Sequence, residues 1–563
     1  MTDPAAELSA TLAAMQAPVG DDPDAHALCR FPARRQWLVE RLAHRFAGSG
    51  PGISAAPKCP RFDEWTRSDS VTSISIVLAT GYLGNPASYY GHTLLKFNYR
   101  DEGRRTFLQD VSVNYGAILT GDDDPLTYMV KGVVGGYDGG FSHIHYYFHN
   151  HNYGENELRD LWEYRLNLPP EDVRRVVAHA WEVLGQRYVY YFFRRNCAYR
   201  MAEILGVADS LDIVPPNRPW TIPQAVLQRL AASRNAGDEP LVAEVIYHPS
   251  RQSRFYQALA ELDGQESALF KDVVNEGGVI DRRRLEDLPE RGQHAVLDTL
   301  IDYYQFVAEP GERATGKVHP GYAAALAARY RLPPGAPPAR AESPPSPDRG
   351  RPPGWWQAGW LDRSGQRPLP FLRIRPAYYD PLDADAGHVA NSALAMGDLQ
   401  VFVENGRLRL RRLDLLSIES AGPGISGLPG DRGAAWKIKV GAEPARLFCD
   451  RCVTPRLQGD MGVGRRIGEQ AYIAVHGGGV LQASRAAQGV AFLRASTAMH
   501  VRVDPRTTML VGAEWRAPVA ATVKPYAVHH AEIRFAIGMA GDLRLRYEHD
   551  RLGLGSIGLG YYW

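Results

Sequence analysis

One cysteine, Cys197, occupies a position where a reactive thiol could form, at the predicted start of a short helix. Asn196 is a good N-cap residue and Gly206 is typical of a helix end, so the sequence predicts a helix between them. The helix dipole and the free N–H groups of the first turn favour the thiolate form of a cysteine there. Three nearby arginines add positive charge: Arg194, Arg195 and Arg200. The alternative, a buried cysteine that packs like a small apolar residue, stays open.

A thiolate mechanism needs a base, and His92 is the best candidate in the sequence. It lies in a predicted hairpin whose strands cover residues 91–98 and 106–115. We expect residue 98 to face 106 and residue 92 to face 112, which places His92 on one face with three polar side chains. Of these, Asn114 is the preferred orienting residue for the imidazole, and the others are Ser112 and Asp110. A histidine on a strand can equally be a hydrogen-bonded bystander.

Predicted strands and helices lie near His92 and Cys197 in the sequence. The segment Ser73–Ala79 is predicted to be a strand, and Pro170 opens a predicted helix that runs to about Leu184 with acidic residues in its first turn. The helix after Asn196 carries apolar residues at helical spacing and is therefore predicted to be buried on one face. The glycine-rich stretch Lys131–Asp138 is predicted to be a loop, and the aromatic run Tyr188–Phe193 is interpreted mainly as core.

These residues together resemble a known family. Gly-His on an early strand followed by Asn-Cys on a later helix is similar to circularly permuted papain-like, NlpC/P60-type thiol enzymes. The fuller pattern resembles the periplasmic domain of Lnb-type lipoprotein N-acyltransferases over roughly residues 70–245, and comprises Gly91–Leu95, Asn114–Ala117, Glu157–Tyr164 and Asn196-Cys197. The resemblance extends to the stretch Cys29–Arg34 and to the C-terminal β-rich region.

The resemblance implies a fold and a set of roles. Cys197 would be the nucleophile, His92 the base and Asn114 the third residue. The activity implied is transfer of a fatty acyl chain from a phospholipid, through a thioester on Cys197, to the amine of a lipoprotein N-terminus. No cofactor is expected. The alternatives are an NlpC/P60-type peptidase or amidase acting on cell-wall peptide, and a non-enzymatic scaffold of the cell envelope.

Four histidines between Phe141 and His151 form two His-x-His pairs, and two such pairs on a strand could chelate zinc. They are His143, His145, His149 and His151. No neighbouring cysteine or carboxylate completes a typical ligand set. We therefore predict no metal site.

The 563-residue chain is predicted to contain several domains. We expect an α+β protein in which the permuted papain-like catalytic domain is flanked by helical N-terminal and middle regions and followed by an antiparallel β-barrel. The predicted divisions are a helical domain 1–70, the thiol domain 71–245, a helical region 246–332, a solvated Pro-rich linker 333–354 and the barrel 355–563.

The C-terminal region alternates apolar and polar residues along short segments. Ile533, Phe535 and Ile537, for example, alternate with Glu532, Arg534 and Ala536, and the chain ends in Tyr-Tyr-Trp. Outward apolar and inward polar residues with a terminal aromatic residue are typical of an outer-membrane barrel, and about ten to twelve strands fit. A soluble β-sandwich or lipocalin-like barrel shows the same alternation.

Charge, cysteine content and the N-terminal residues indicate which kinds of partner and which cellular compartment to expect. A formal net charge of +1 suggests no polyanion partner, so no nucleic acid is expected. The first twenty residues have neither a basic start nor an apolar core, yet the C-terminal region favours export to the periplasm and outer membrane. In an exported protein the five cysteines could pair as Cys29–Cys59 and Cys449–Cys452, leaving Cys197 free.

Overall fold

The computed structural model describes residues 3–42, 57–67, 70–82, 89–100, 107–119, 121, 123–208, 211, 213, 220–308, 318–335, 343–364, 366–383, 386–422, 424, 426–431, 433–447, 453–468, 470–483, 489–519 and 524–563. The chain divides into two compact units, Met1–Ser250 and Arg251–Trp563. Among the residues described, no helix combines the length and apolar character needed to cross a bilayer.

The first unit opens with α-helices in its described residues. They are α1 (Pro4–Gln16), α2 (Ala27–Arg30), α3 (Pro32–Leu42) and α4 (Pro60–Thr66). A disulfide joins Cys29 to Cys59, which confirms that predicted pair, whereas Cys449 and Cys452 lie outside the described residues. The helices pack on the rest of the unit, because the Arg34 amide donates to the Glu182 carboxylate at 2.8 Å.

A seven-stranded antiparallel sheet forms the centre of the first unit, in the order β6-β4-β3-β2-β1-β5-β7. Its strands are β1 (Val71–Ala79), β2 (His92–Tyr99), β3 (Val111–Ile118), β4 (Tyr137–His145), β5 (Leu161–Leu166), β6 (Arg187–Tyr190) and β7 (Val242–His248). Its helices are α5 (Pro125–Val134), α6 (Tyr146–Asn150), a π-helix (His151–Asn156), α7 (Pro170–Val183), α8 (Cys197–Leu205) and α9 (Pro223–Ala232).

Successive residues of β2 point to opposite faces of the sheet, and each face has its own core. Leu95 and Phe97 belong to a large apolar cluster that includes residues of α7, α8 and α9. Leu94 lies in a smaller cluster with Tyr146 and Tyr153, from α6 and the π-helix. The sheet is therefore covered by helices on both faces, and β2 is a central strand between them.

The second unit begins with helices and ends as a barrel. The helices are α10 (Arg251–Glu261), α11 (Gly264–Asn275), α12 (Arg282–Glu286), α13 (Glu290–Val307) and α14 (Pro320–Arg329). The sequence predicts a helical region over residues 246–332, and these helices lie in that range. The chain turns at Leu288 and Pro289, so α12 ends at Glu286 and α13 starts afresh at Glu290.

Twelve antiparallel strands close the barrel, because β20 pairs with β8 and β9 pairs with β11. The barrel strands are β8 (Trp355–Arg363), β9 (Leu369–Arg375), β11 (Ser392–Glu404), β12 (Arg407–Ser420), β13 (Ala434–Pro444), β14 (Val453–Ile467), β15 (Ala471–Gln482), β16 (Ala491–Arg502), β17 (Thr507–Pro518), β18 (Tyr526–Ile537), β19 (Gly541–His549) and β20 (Gly553–Tyr562); the short β10 (Ala377–Tyr379) continues β9 along β11. The strand count agrees with the sequence prediction.

Apolar residues point out of this barrel and charged residues point in. Phe535 and Ile537 are 40% and 56% exposed, whereas Arg534, which precedes Phe535, and Arg544 on the next strand are buried. Inside, Arg544 donates to Asp380 and Asp383 at 2.5 and 2.8 Å. Exposed apolar residues around a closed barrel with a polar interior are the arrangement of an outer-membrane barrel.

The Pro-rich segment before the barrel differs from the solvated linker that its composition predicts. Its described residues are 333–335 and 343–354, and the second stretch packs on the barrel, since Arg351 is buried and donates to the carbonyl oxygens of Gly538, Met539 and Gly541. The Arg351 guanidinium also lies over the Tyr562 ring at 4.6 Å. The three hydrogen bonds of Arg351 hold this stretch against the barrel, although its proline and serine content predicts a solvated linker.

Candidate active site

Cys197 is the first residue of α8, where the sequence places it. The Asn196 side chain accepts from the Tyr199 amide at 3.2 Å and so caps the helix. The Asn196 amide group also donates to the carbonyl oxygens of Phe192 and Thr221, at 3.1 and 2.7 Å. Asn196 therefore fixes both the helix start and the chain segment that leads into it. The Cys197 thiol is free of any disulfide and buried.

His92 is the first residue of β2, and its imidazole reaches the thiol of Cys197 by a hydrogen bond. On its other side the ring bonds Asn114: His92 Nε2 donates to Asn114 Oδ1 at 2.5 Å. With Nε2–H donated to the amide oxygen, Nδ1 remains as the nitrogen available to the sulfur. The structure thus brings together all three predicted residues, Cys197, His92 and Asn114.

The predicted strand register is wrong, although the predicted face is right. The structure pairs Leu95 with Val113 and Lys96 with Ser112, which is four residues away from the expected alignment of 98 with 106. A shift by an even number keeps every side chain on its face, because the side-chain period of a strand is two. His92 and Asn114 therefore still share a face, and the change of register makes Asn114 the nearest polar neighbour.

Ser112 and Asp110, the other predicted candidates for the third residue, lie elsewhere. The Ser112 hydroxyl donates to the Ile144 carbonyl oxygen at 2.9 Å. The Asp110 carboxylate lies 3.8 Å from the Lys96 ammonium. Of the three predicted candidates, Asn114 is therefore the one that is hydrogen-bonded to the imidazole in the described structure.

Charge and burial act in opposite directions on the thiol. Burial raises the pKa of Cys197. The His92 imidazole and the Thr93 backbone N–H lower it by more than that, so the net effect is a pKa lowered to about 7. Burial lowers the pKa of His92, while the charge and hydrogen bond of Cys197 raise it by more, so the net shift is upward. A lowered thiol pKa and a raised imidazole pKa both favour a thiolate–imidazolium pair near neutral pH.

Arg159 is a residue of the site that the sequence did not single out beyond its place in the Glu157–Tyr164 block. Its buried guanidinium donates to the carbonyl oxygens of Ala79 and Thr80 and to Glu157, and lies 4.7 Å from the centre of the Tyr153 ring. The Tyr153 ring in turn lies 5.8 Å from that of His92. The positive charge of Arg159 opposes the rise in the His92 pKa. A buried arginine gives no periodic signal in a sequence.

The stretch Lys131–Asp138 is not the predicted loop. Residues 131–134 form the last turn of α5, and Gly135 and Gly136 make the turn into β4 at Tyr137. The interpretation of the aromatic run as core agrees with the burial of Tyr190 and Phe192.

The four histidines do not share a strand. His143 and His145 lie on β4, whereas His149 is in α6 and His151 begins the π-helix. His149 stacks on the Tyr153 ring and His151 on that of Tyr147. In the described part of the chain no three side chains of metal-ligating type gather around a common point.

Comparison with known families matches three parts of the chain. Residues 61–229 match the Lnb N-terminal periplasmic domain. Residues 344–562 and 1–41 match two domains of unknown function, DUF7840 and DUF7843. No curated protein matches the chain significantly.

The barrel has remote counterparts among solved structures. The KdgM porin is 6% identical, with a TM-score of 0.24, and the match covers 37% of this chain and 99% of the porin. An outer membrane channel from Pseudomonas putida F1 is 10% identical, with a TM-score of 0.25 and coverage of 41% and 100%. Likenesses this remote carry no functional information about this chain.

The matched range 61–229 contains Cys197, His92 and Asn114. The described barrel has the alternation of an outer-membrane barrel, and the matched domain is periplasmic. The chain therefore carries an Lnb-type N-terminal periplasmic domain and is a protein of the cell envelope, at the periplasm and outer membrane.

Proposed function

We propose that this protein is a lipoprotein N-acyltransferase of the Lnb type, whose chemistry resides in the domain 71–245. The observation that carries the proposal is the hydrogen-bonded series Cys197–His92–Asn114 at the junction of α8, β2 and β3. Histidine on a strand before cysteine on a helix is the permuted order of papain-like NlpC/P60 enzymes, and the sheet covered by helices is compatible with that fold.

The first half-reaction loads the enzyme. The Cys197 thiolate attacks an ester carbonyl carbon of a phospholipid, and a C–S bond forms. The ester C–O bond then breaks, and the departing alkoxide takes the proton of the His92 imidazolium. The products are a lysophospholipid and an acyl thioester on Cys197, with His92 left neutral.

The second half-reaction delivers the acyl chain. The amine at a lipoprotein N-terminus attacks the thioester carbonyl while neutral His92 removes its proton. The C–S bond breaks, an amide forms, and Cys197 leaves as the thiolate beside the imidazolium. The hydrogen bond to Asn114 holds the imidazole in one orientation through both half-reactions.

The start of α8 supplies donors for the oxyanion of each tetrahedral intermediate. The Tyr199 and Arg200 amides are bonded to Asn196, which leaves the N–H groups of Cys197 and Ala198 without intrahelical acceptors. Preorganised N–H groups beside a nucleophile stabilise developing negative charge strongly in a buried site. A barrel embedded in the membrane would hold this chemistry close to both lipid substrates, and proximity of that kind lowers the entropic barrier.

Intact-mass analysis of the full chain in detergent tests the proposal. Incubation with phospholipid should add one acyl group at Cys197, and addition of a diacylated lipopeptide should move that group to the peptide amine. The Cys197→Ala variant should gain no mass. A matched control is Cys29→Ala/Cys59→Ala, which removes the disulfide but leaves the candidate nucleophile.

Two other results point to the alternative functions. An adduct that decays to free fatty acid, with no amide formed on the peptide, identifies water as the acceptor, and altered muropeptides with unchanged lipoprotein mass identify a cell-wall hydrolase. The absence of any adduct, with a Cys197 thiol no more reactive than that of a model peptide, favours an envelope scaffold.

A further inference from the structure

The contents of the lumen decide whether the barrel of the second unit can let solutes cross a membrane. Side chains fill a barrel of about eight strands, whereas about sixteen strands leave an aqueous channel, so the strand number of this barrel lies between the two cases. One end of the barrel holds Trp355, where β8 begins, and Tyr562, where β20 ends, and these two residues pair. We call it the terminal end and the other the opposite end.

At the terminal end the chain folds into the lumen. Residues 380–383 follow β10; the first three line a cavity inside the barrel, and Asp383 is buried. Its carboxylate accepts hydrogen bonds from Arg375 at 2.6 Å, from Arg544 at 2.8 Å and from the Tyr562 hydroxyl at 2.5 Å. These donors lie on β9, β19 and β20 and are themselves buried. Residues 380–383, the terminal segment, are therefore held inside the barrel wall.

A second segment crosses the lumen at the opposite end. Residues 445–447, the opposite segment, follow β13. The Ala445 carbonyl oxygen accepts from the Tyr526 hydroxyl at 3.2 Å, and the Leu447 amide donates to the Asp550 carboxylate at 3.3 Å. Tyr526 begins β18 and Asp550 follows β19, whereas β14, β15, β16 and β17 separate β13 from β18. The opposite segment therefore reaches from one side of the barrel to the other.

Ion pairs also bridge the lumen. Arg411 on β12 donates to Glu548 on β19 at 3.5 Å, although β11, β9, β8 and β20 lie between these strands on the shorter side. Arg516 on β17 lies 3.6 Å from Glu443 on β13, with β14, β15 and β16 between them. A pair on neighbouring strands lines a wall, but pairs between such distant strands occupy the space that the walls enclose.

The space left over is a cavity of about 240 Å³. Residues of both the terminal and the opposite segment form part of its lining, together with equal numbers of acidic and basic side chains. Channels select ions with rings of backbone carbonyls or of side chains of one charge. A lining in which the two signs balance offers no such ring, and the segments at its two ends limit access from either side.

The helical region of the same unit is joined to the terminal end. Tyr256 of α10 donates to the Asp431 carboxylate at 2.9 Å, and Tyr303 of α13 donates to the Pro429 carbonyl oxygen at 2.6 Å. Leu428 is buried in the apolar cluster of these helices. These three loop residues lie between β12 and β13, so the barrel holds α10 and α13 in place.

We infer that this barrel is a sealed membrane anchor and not a channel, closed by the terminal segment at one end and by the opposite segment at the other. An ion that crossed would have to separate the buried pairs Arg411–Glu548 and Arg516–Glu443, and breaking buried ion pairs is costly. The inference concerns the barrel alone and does not rest on the chemistry proposed for Cys197.

Potassium efflux from liposomes tests the inference with the full chain. Liposomes loaded with KCl and carrying the wild-type protein should lose K⁺ no faster than protein-free liposomes, and Cys197→Ala should behave in the same way. Flotation of the liposomes measures how much protein is inserted, and the heat-dependent shift in electrophoretic mobility shows that the barrel is folded. Rapid efflux through the inserted, folded wild type would overturn the inference.

Two pairs of substitutions release the two segments. Asp380→Ser/Asp383→Ser removes the carboxylates that hold the terminal segment, and Tyr526→Ala/Asp550→Ser removes the partners of the opposite segment. Either pair alone should leave the K⁺ gradient intact, because the other segment still closes the lumen. The fourfold variant should lose the gradient. Efflux from one pair alone, or a folded fourfold variant that retains K⁺, would show that these segments do not form the two closures.

The matched control removes an ion pair that lines the lumen without holding either segment. Glu419 on β12 and Lys437 on β13 are paired at 2.6 Å and lie opposite each other on neighbouring strands. Glu419→Ser/Lys437→Ser should therefore retain K⁺ like the wild type. Efflux from this variant would mean that any loss of charge in the lumen opens the barrel, and the role given to the two segments would be wrong.

Thiol labelling tests closure without disturbing either segment, and so remains decisive if the fourfold variant does not fold. Ser417 lines the cavity, whereas Arg506 lies in the exposed turn between β16 and β17. A charged methanethiosulfonate should label Arg506→Cys in the folded protein but should label Ser417→Cys only after unfolding, with each label located by peptide mass. Equal labelling rates of the two folded variants would show that the lumen is open and would overturn the inference.

Discussion

Strand β2 carries two buried polar centres only four residues apart, one at His92 and one at Lys96. They differ in whether a group in the centre can gain or lose a proton near neutral pH. At His92 the imidazole faces a single thiol and a single amide, with apolar and aromatic neighbours around them. At Lys96 the ammonium donates to both oxygens of Glu163, at 2.9 and 3.1 Å, and Glu163 also accepts from Ser75 and His248.

The second centre is fully committed to structure. Burial raises the pKa of Glu163, but the hydrogen bond from His248 and the charge of Lys96 outweigh it and lower the pKa to about 2. Its charge therefore does not change near neutral pH. The pKa of Cys197, by contrast, is about 7, so its proton can leave and return at neutral pH. Several hydrogen-bond donors keep Glu163 ionised and so assign it to the stability of the fold, whereas Cys197 can change its protonation state and react.

The largest expected effect is on the first centre. His92→Ala should slow formation of the Cys197 acyl adduct about 10²- to 10⁴-fold, because the thiolate loses its proton acceptor and its counter-charge. Stability should change little, since the sheet hydrogen bonds of β2 remain. Adduct formation is followed by intact mass, and folding of the first unit by amide exchange of β1 and β2. Equal loss of folding and of adduct would remove the distinction between the two centres.

Disrupting the ion pair between Lys96 and Glu163 should mainly change the stability of the first unit rather than adduct formation. Glu163→Gln leaves the Lys96 ammonium buried without its close carboxylate, which should destabilise the first unit by about 3–5 kcal/mol. Denaturant-dependent amide exchange of β1 and β5 measures that change. In the wild type the contribution of Glu163 is present above pH 4.5, the usual pKa of the group, and is lost as the pH falls toward about 2.

Glu244→Gln is the matched control for this substitution. Glu244 lies on β7 next to β5 and pairs with Arg165 at 3.0 Å, but both side chains are solvent-exposed. An exposed ion pair contributes only about 0–1 kcal/mol, so this variant should unfold almost like the wild type. A loss as large as that of Glu163→Gln would show that burial is not the cause of the difference.

Sequence reasoning predicts the first centre better than the second. A helix cap before a cysteine and a strand that begins with histidine are local signals, and they identify Cys197 and His92. Asn114 follows from the period of two along β3, which survives the error in register. The register itself depends on the length of the connection between β2 and β3, which has no turn sequence of defined geometry.

The second centre depends on contacts that no local pattern encodes. Lys96 and Glu163 are 67 positions apart and lie on strands that do not pair with each other, since β1 lies between β2 and β5. In the sequence, a lysine between apolar strand residues predicts a side chain on the solvent-exposed face of the strand, not a buried ion pair. The barrel is easier to predict, because each hairpin repeats the same alternation of outward apolar and inward polar residues.

A smaller effect is expected at the third residue of the first centre. Asn114→Ala should slow adduct formation roughly ten- to a hundredfold, because the imidazole loses the partner that holds its Nε2–H and its orientation. Ser112→Ala on the same strand face is the matched control, since its hydroxyl donates to the Ile144 carbonyl oxygen. Rates are measured from the growth of the adduct mass. If Asn114→Gln restores part of the rate, orientation of the imidazole is confirmed as the cause.

The smallest expected effect is a change in the pH dependence of the thiol. The near-ultraviolet absorbance of the thiolate, taken as the difference between wild type and Cys197→Ala, should fall with falling pH and reach half its maximum at about 7. In His92→Ala burial remains while the imidazole is gone, so the midpoint should move upward, above that of an ordinary cysteine. Glu163→Gln should leave the midpoint unchanged in the folded protein. A midpoint that moves equally in both variants would mean that the two centres are one electrostatic network, and the contrast along β2 would then concern hydrogen bonding alone.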